Sequence, residues 1–324
     1  MKQETGMVAA GEAAGMAAET GAAAAEPLAP VRQWRIHLGA HKTATTHLQE
    51  TLTLVRPALA ARGLDYIPNQ LLRERRLART LWRRQLRARL PVVGPWHMRE
   101  TIEAVVTPLR LGPETVVLSE ENILGIPDQI LRVPFYPQAA LSVARLASLG
   151  GRAELVLFLS IRGYDTLLPS AYAESLKFRP PRAGGFDTRR LMARPPSWYE
   201  LVVQIRRAAP GVPLRIWRQE DYRANAEAIM AEVCGLELGP LPDISDPSWT
   251  RSPTAEGIRA AEALDPGLAM AERRERVGAI YASAEGERYR PFGEAERRAL
   301  RARYAADLER IEAEVPGALM RFPG

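Results

Sequence analysis

The strongest constraint on the fold is an alternation. Five short segments rich in β-branched or apolar residues lie at Trp34–Leu38, Leu64–Ile67, Thr115–Ser119, Glu154–Ser160 and Pro213–Trp217. Helical patterns separate most of them. Strands alternating with helices predict an α/β domain whose mainly parallel sheet is covered on both faces. Leu48, Leu52, Val55 and Leu59 follow the spacing of one helix face. Pro57 is expected to kink or restart that helix, and Gly63 suits its stop. Beyond about residue 245 no strand pattern remains, and Thr254–Leu264, Leu268–Ile280 and Gly293–Val315 read as amphipathic helices. The expected organisation is an α/β domain over 31–245 and a helical section over 246–324 packed on it.

Residues 1–30 are Ala, Gly and Glu with few large apolar side chains, too little to offset the entropy of ordering. Glutamates interrupt the alanines, which suits neither a signal peptide nor a mitochondrial presequence. A disordered leader is expected, with Met7 and Met16 as alternative starts. The leader holds four glutamates against Lys2, so a formal charge of +6 for the chain becomes +9 for the remainder. A basic body suggests anionic partners. No apolar stretch is long enough to cross a membrane as a helix. The single cysteine, Cys234, cannot form an internal disulfide or a cysteine metal site, which fits a reducing, cytoplasmic compartment. It is expected to be buried and inert. The four histidines offer no His-Glu-x-x-His motif.

The most informative segment runs Arg35-Ile-His-Leu-Gly-Ala-His-Lys-Thr-Ala-Thr-Thr-His-Leu-Gln49. A strand ends near Leu38, a short loop follows, and a helix starts near Ala44. The first amides of a helix lack internal partners and carry the positive end of its dipole, so such an end binds phosphate. Lys42 adds a full charge, and Thr43, Thr45 and Thr46 add hydroxyls. The nucleotide triphosphatase pattern would place Gly before the lysine; His41 stands there, and Ile36 replaces the first glycine. The cradle is of a different build.

This loop resembles the 5′-phosphosulfate loop of sulfotransferases that use 3′-phosphoadenosine 5′-phosphosulfate (PAPS). It is most similar to bacterial members related to carbohydrate sulfotransferases. The resemblance implies a P-loop-type sheet, PAPS as co-substrate, and a grip by Lys42, Thr43, Thr45 and Thr46 on the 5′-phosphate and sulfuryl group. Ala44 departs from the usual glycine, which matters only if the position needs positive φ. A second stretch agrees. Arg162 follows the fourth strand, Ser170 comes eight residues later and Tyr172 two further. This resembles the family's 3′-phosphate motif, although Gly163-Tyr164 and Leu167 replace residues common there.

Transfer needs a base for the acceptor proton. The third strand ends Ser119-Glu120-Glu121, and in related sulfotransferases that strand end carries the base. Glu120 is favoured, with Glu121 close behind and His41 and His47 as further candidates. Lys42 would stabilise charge on the leaving oxygen. The implied reaction is transfer from PAPS to an acceptor hydroxyl or amine, plausibly on a carbohydrate, with no metal required. The rivals are a nucleotide-dependent kinase, and a catalytically inactive protein of the same fold that binds an anionic polymer.

Residues 73–89 hold eight arginines against Glu74, interleaved with leucines and Trp82. They read as one basic amphipathic helix, either a solvated face or a contact for an anionic glycan or lipid. No nucleic-acid recognition module is present. Trp198, Trp217 and Trp249 are either core or platforms for adenine or sugar. The stretch from Trp249 through Arg251 and Ser252 resembles a family segment that would close over the nucleotide. The Pro-rich stretches 179–182 and 194–197 read as loops flanking an opening over the sheet.

Overall fold

The computed structural model describes residues 28–82, 95–244 and 252–322. Its centre is a five-stranded parallel sheet in the order β2-β3-β1-β4-β5. The strands are β1 (Gln33–His37), β2 (Leu64–Ile67), β3 (Thr115–Ser119), β4 (Glu154–Ile161) and β5 (Leu214–Arg218). All four pairings are parallel, and Trp34 of β1 lies between Val116 and Leu155. The fold is thus an α/β, P-loop-type sheet flanked by helices, with a helical C-terminal region. Each predicted strand exists within a residue or so of its expected ends.

Topology fixes where a ligand can sit. After β1 the chain leaves toward β2, on one side of the sheet; after β4 it leaves toward β5, on the other. The crevice outside the carboxyl ends of β1 and β4 is the switch point, where open α/β sheets bind ligands.

Side chains of β1 alternate between two cores, as the pleat requires. Trp34, Ile36 and Leu38 join the larger core, with Val143, Trp198 and Ile205. On the other face α1 (Thr45–Leu54) and α2 (Arg56–Ala60) bring Leu48, Leu52 and Leu59 against Tyr66, Phe158 and Trp217. The helix is interrupted at Val55 and restarts with Pro57 in its first turn, and Gly63 has φ 85°.

The basic segment departs from expectation. It is not one helix: α3 (Asn69–Glu74) ends where Arg76 turns left-handed at φ 59°, and α4 (Leu77–Trp82) begins anew. An L-residue in that region cannot continue a right-handed helix. Leu72, Leu77 and Leu81 are buried, while Arg75, Arg76 and Arg79 face solvent. Arg83, Arg84, Arg87 and Arg89 lie outside the described residues, as do residues 1–27 of the leader, Trp249 and Arg251.

The C-terminal helices Ala255–Glu262, Met270–Ser283 and Glu294–Glu314 appear where expected. Ile258, Ala261 and Val277 pack on Tyr172, Ala173 and Leu176. Buried Arg273 donates to the carbonyls of Leu176, Ala261 and Asp265. Leu300 and Ile311 enter the main core. The chain end adds one pairing the sequence did not suggest: the carbonyl of Ala318 accepts from Ile216, and Met320 donates back to Ile216.

Candidate active site

The turn after β1 is held by the neighbouring strand. Leu38 and Ala40 donate to the carbonyls of Phe158 and Ser160, and Ser160 donates to Gly39. Gly39 sits at φ 93°, and a Cβ there would lie 2.6 Å from Glu121 Cβ, so only glycine lets the two loops meet. Lys42 and Ala44 both adopt the left-handed region, at φ 65° and 67°. Alternating conformations of this kind turn successive amides inward to form an anion-binding nest. Among the described residues, no acceptor meets the amides of Lys42, Thr43, Ala44, Thr45 and Thr46. Ala44 does need positive φ, so its methyl group carries a strain that glycine would not, of about 1–2 kcal/mol.

The cradle side chains divide into inward and outward groups. Thr43 is buried and its hydroxyl donates to the Ala40 carbonyl at 2.6 Å while also contacting Ser160 Oγ. It shapes the loop and offers a ligand its amide, not its hydroxyl. Thr46 is exposed, and the hydroxyls of Thr45 and Thr46 have no partner among the described residues. Lys42 Nζ reaches Glu174 Oε2 at 3.1 Å. Burial pushes the Glu174 carboxyl up, but Lys42 and Lys177 outweigh it and hold the group at about 2.

Arg162 joins the two predicted motifs. Its Nη1 donates to the Lys42 carbonyl at 2.8 Å and its Nε to Thr166 Oγ1 at 2.9 Å. Burial lowers its pKa, against the pull of Glu220, and the nearby Arg288 cation lowers it further. Ser170, one turn of helix beyond Thr166, lines a cavity of about 190 Å³ together with Thr166, Ser252, Arg288, Arg297 and Arg301. Arg297 and Arg301 are paired with Glu294 and Asp165. Arg288 has no carboxylate partner among the described residues, so the cavity holds an uncompensated cation beside Ser170.

The two glutamates after β3 differ. Glu120 is 1% exposed and caps the turn Glu121–Ile123 by accepting from the Asn122 amide at 2.9 Å. It also receives the Arg73 guanidinium, with Nε at 2.8 Å. Burial and the neighbouring Glu121 charge raise its pKa against Arg73. Glu121 accepts from Gln49 Nε2 at 2.8 Å and Arg73 Nη2 at 2.9 Å. Burial opposes its charge, but His41, Arg73 and Gln49 keep it ionised, with a lowered pKa. The expectation that favoured Glu120 meets a physical obstacle: its oxygens are enclosed by Arg73 and Asn122. Glu121 keeps an exposed edge of 15% against the cradle loop.

Histidines around the loop serve as ties. His37 is fully buried; its Nδ1 contacts Ser119 Oγ at 2.8 Å and its Nε2 contacts Ser160 Oγ at 3.2 Å. Thr43 spends its proton on Ala40, so Ser160 donates to Thr43 and accepts from His37 Nε2–H, and Ser119 donates to Nδ1. Neutral His37 thereby spans β3, β1 and β4, and burial lowers its pKa to about 4. His41 is buried with Nδ1 2.9 Å from the Tyr136 hydroxyl and Nε2 3.3 Å from Asn122 Oδ1. Burial lowers its pKa as well. His47 pairs with the Tyr222 hydroxyl. Trp198 and Trp217 are core residues; Trp198 Nε1 donates to the Arg162 carbonyl and Trp217 stacks on His37. The Cys234 thiol is buried and pushed up to about 12.

The structure adds to the site residues that sequence pattern does not single out: Gln49, Arg73, Asn122, Tyr136, Glu174 and Arg288. Glu174 had a usable signal, since it stands four residues after Ser170 on one helix face. Arg73 was hidden among seven other arginines, and Arg288 lies 118 positions from Ser170 with no local pattern.

No protein-family model matches the chain, and no curated protein sequence matches it. A crystal structure of a sulfotransferase from Alicyclobacillus acidocaldarius is similar at a TM-score of 0.43 and 12% identity, over 88% of this chain and 96% of that one. A likeness of that strength carries no argument about function, which rests on the site itself.

Proposed function

We propose that the protein transfers a sulfuryl group from PAPS to an acceptor hydroxyl or amine. The observation that carries this reading is the run of unpartnered amides 42–46 with Lys42, joined through Arg162 to the Ser170–Arg288 cavity at the switch point. One anion site beside a second, cationic one suits a nucleotide with phosphates at both ends. A cradle for a triphosphate alone leaves the second site without a role.

In this account the amides of 42–46 and the hydroxyls of Thr45 and Thr46 hold the 5′-phosphosulfate. Arg162 fixes the loop and aims its remaining N–H groups at phosphate oxygen. Ser170, Arg288 and Ser252 receive the 3′-phosphate. The acceptor oxygen or nitrogen attacks sulfur, and the bond from sulfur to the bridging phosphate oxygen breaks. Glu121 takes the acceptor proton, and Lys42 meets the negative charge that develops on the bridging oxygen. The products are the sulfated acceptor and 3′-phosphoadenosine 5′-phosphate. Glu120 and Arg73 orient Glu121. No role for a metal is needed, because the cradle meets the leaving charge.

The test is transfer of radiolabelled sulfuryl group from PAPS to a panel of hydroxyl- and amine-bearing oligosaccharides. Labelled product with the wild type, and none with Lys42→Ala, supports the reading. Absence of transfer to any acceptor, with PAPS bound, would leave a binding protein rather than an enzyme.

A further inference from the structure

Two segments outside the cradle converge on one carboxylate. Asp128, in the turn Pro127–Leu131, is shared by Arg132, by Arg179 Nη1 at 3.8 Å and by Arg182 Nη2 at 3.4 Å. Among the described residues none of these arginines has another carboxylate. One carboxylate against three guanidiniums leaves two positive charges unmatched. Asp128 is 15% exposed, whereas Arg179 and Arg182 are 57% and 52% exposed, so the aspartate forms the floor and the arginines the rim.

The cluster is built rather than incidental. Pro180 and Pro181 stiffen the link between its two outer arginines. The turn closes where Gly185 donates to the Arg182 carbonyl, and Arg190 ties the same segment to the Leu131 carbonyl at 3.0 Å. Both segments are leashed to the cradle. Tyr136, four residues after Arg132, bonds His41. Glu174, five residues before Arg179, bonds Lys42. The helix ends at Leu176, and the Arg179 amide turns back to donate to the Ser175 carbonyl at 3.1 Å, one residue after Glu174, so the arginine rim lies within the reach of an acceptor whose hydroxyl meets Lys42. Across 122–137 and 176–197 there are seven basic side chains against two acidic ones.

We propose that the Arg132–Arg179–Arg182 cluster binds an anionic group of the acceptor, a carboxylate or sulfate on a sugar next to the one that receives the sulfuryl group. The inference rests on the sulfuryl-transfer reading. Guanidinium forks match planar or tetrahedral oxyanions in two-point contacts, and a prearranged set loses little freedom on binding.

The test is calorimetry with a hyaluronan tetrasaccharide, which carries two carboxylates, and with chitotetraose as its neutral counterpart. Both are titrated into protein saturated with 3′-phosphoadenosine 5′-phosphate. The tetrasaccharide should bind the wild type, bind Arg179→Ala/Arg182→Ala at least tenfold more weakly, and bind Arg259→Ala/Arg276→Ala as the wild type. The last pair removes equal charge from two C-terminal helices. Chitotetraose should bind measurably more weakly than the acid. No binding of the acidic sugar, equal binding of the two sugars, or an equal loss in both double variants overturns the inference. Both arginines are exposed, and an unchanged thermal midpoint checks that the variant folds. Failure of the nucleotide itself to bind would instead sink the sulfuryl-transfer reading.

Discussion

Lys42 Nζ rests 3.1 Å from Glu174 Oε2, so the cation proposed to serve the leaving group is held by a carboxylate on the helix that also carries Ser170. A phosphosulfate entering the cradle must share that lysine with Glu174. Glu174→Gln should therefore tighten binding of 3′-phosphoadenosine 5′-phosphate by a few-fold, because a negative charge is removed from an anion site. Calorimetry on the variant checks this; weaker binding would mean that Glu174 is needed to aim the lysine.

The two strand-end glutamates should separate cleanly. Glu120→Gln takes a buried, capping carboxylate away from the half-exposed Arg73, and the expected result is a loss of stability of about 1–3 kcal/mol. Glu121→Gln should spare folding and nucleotide affinity and lower turnover by about a hundredfold or more. Thermal midpoints, calorimetry and label transfer on both variants decide it. Full turnover in Glu121→Gln would move the base elsewhere, with Glu174 and His41 next in reach.

Ala44 carries its left-handed backbone at a cost that glycine avoids. Ala44→Gly should stabilise the fold by about 0.5–1 kcal/mol once the extra freedom of glycine in the unfolded chain is counted. Nucleotide affinity should hold or improve. A lower midpoint in chemical denaturation would show that the methyl group packs usefully.

Acid should destabilise the protein in two windows. His37 is held at about 4 by burial, against about 6.5 in the unfolded chain. Between these values the unfolded chain takes up a proton that the folded chain refuses, so stability falls as pH drops from 6.5 to 4, by on the order of 3 kcal/mol. Glu174 is held at about 2, so its contribution is present above its unfolded value near 4.5 and is lost as pH falls toward 2. His37→Asn should be less stable overall but flatter across the first window. Denaturant midpoints measured through that range test the assignment.

What the sequence disclosed follows from what was local. β1, its turn and α1 occupy one continuous stretch, so the strand pattern, the lysine and the threonines could be read together. The same holds for β4, Arg162 and Ser170. The inward turn of the Thr43 hydroxyl is not legible locally, because it depends on Ser160, a residue 117 positions away. That Arg73 encloses Glu120 is equally illegible, because nothing near either residue in the sequence announces the contact. The basic segment looked like one helix because charge periodicity says nothing of the left-handed turn at Arg76. Arg288 reaches the Ser170 cavity only through the packing of the C-terminal helices.

Titration of 3′-phosphoadenosine 5′-phosphate against ATP with magnesium tests the central claim most directly. The account predicts one site for the first nucleotide, with affinity lost in Lys42→Ala and reduced at least tenfold in Arg288→Ala, and much weaker binding of ATP with magnesium. Folded wild-type protein that ignores 3′-phosphoadenosine 5′-phosphate, or that prefers ATP with magnesium, would contradict it.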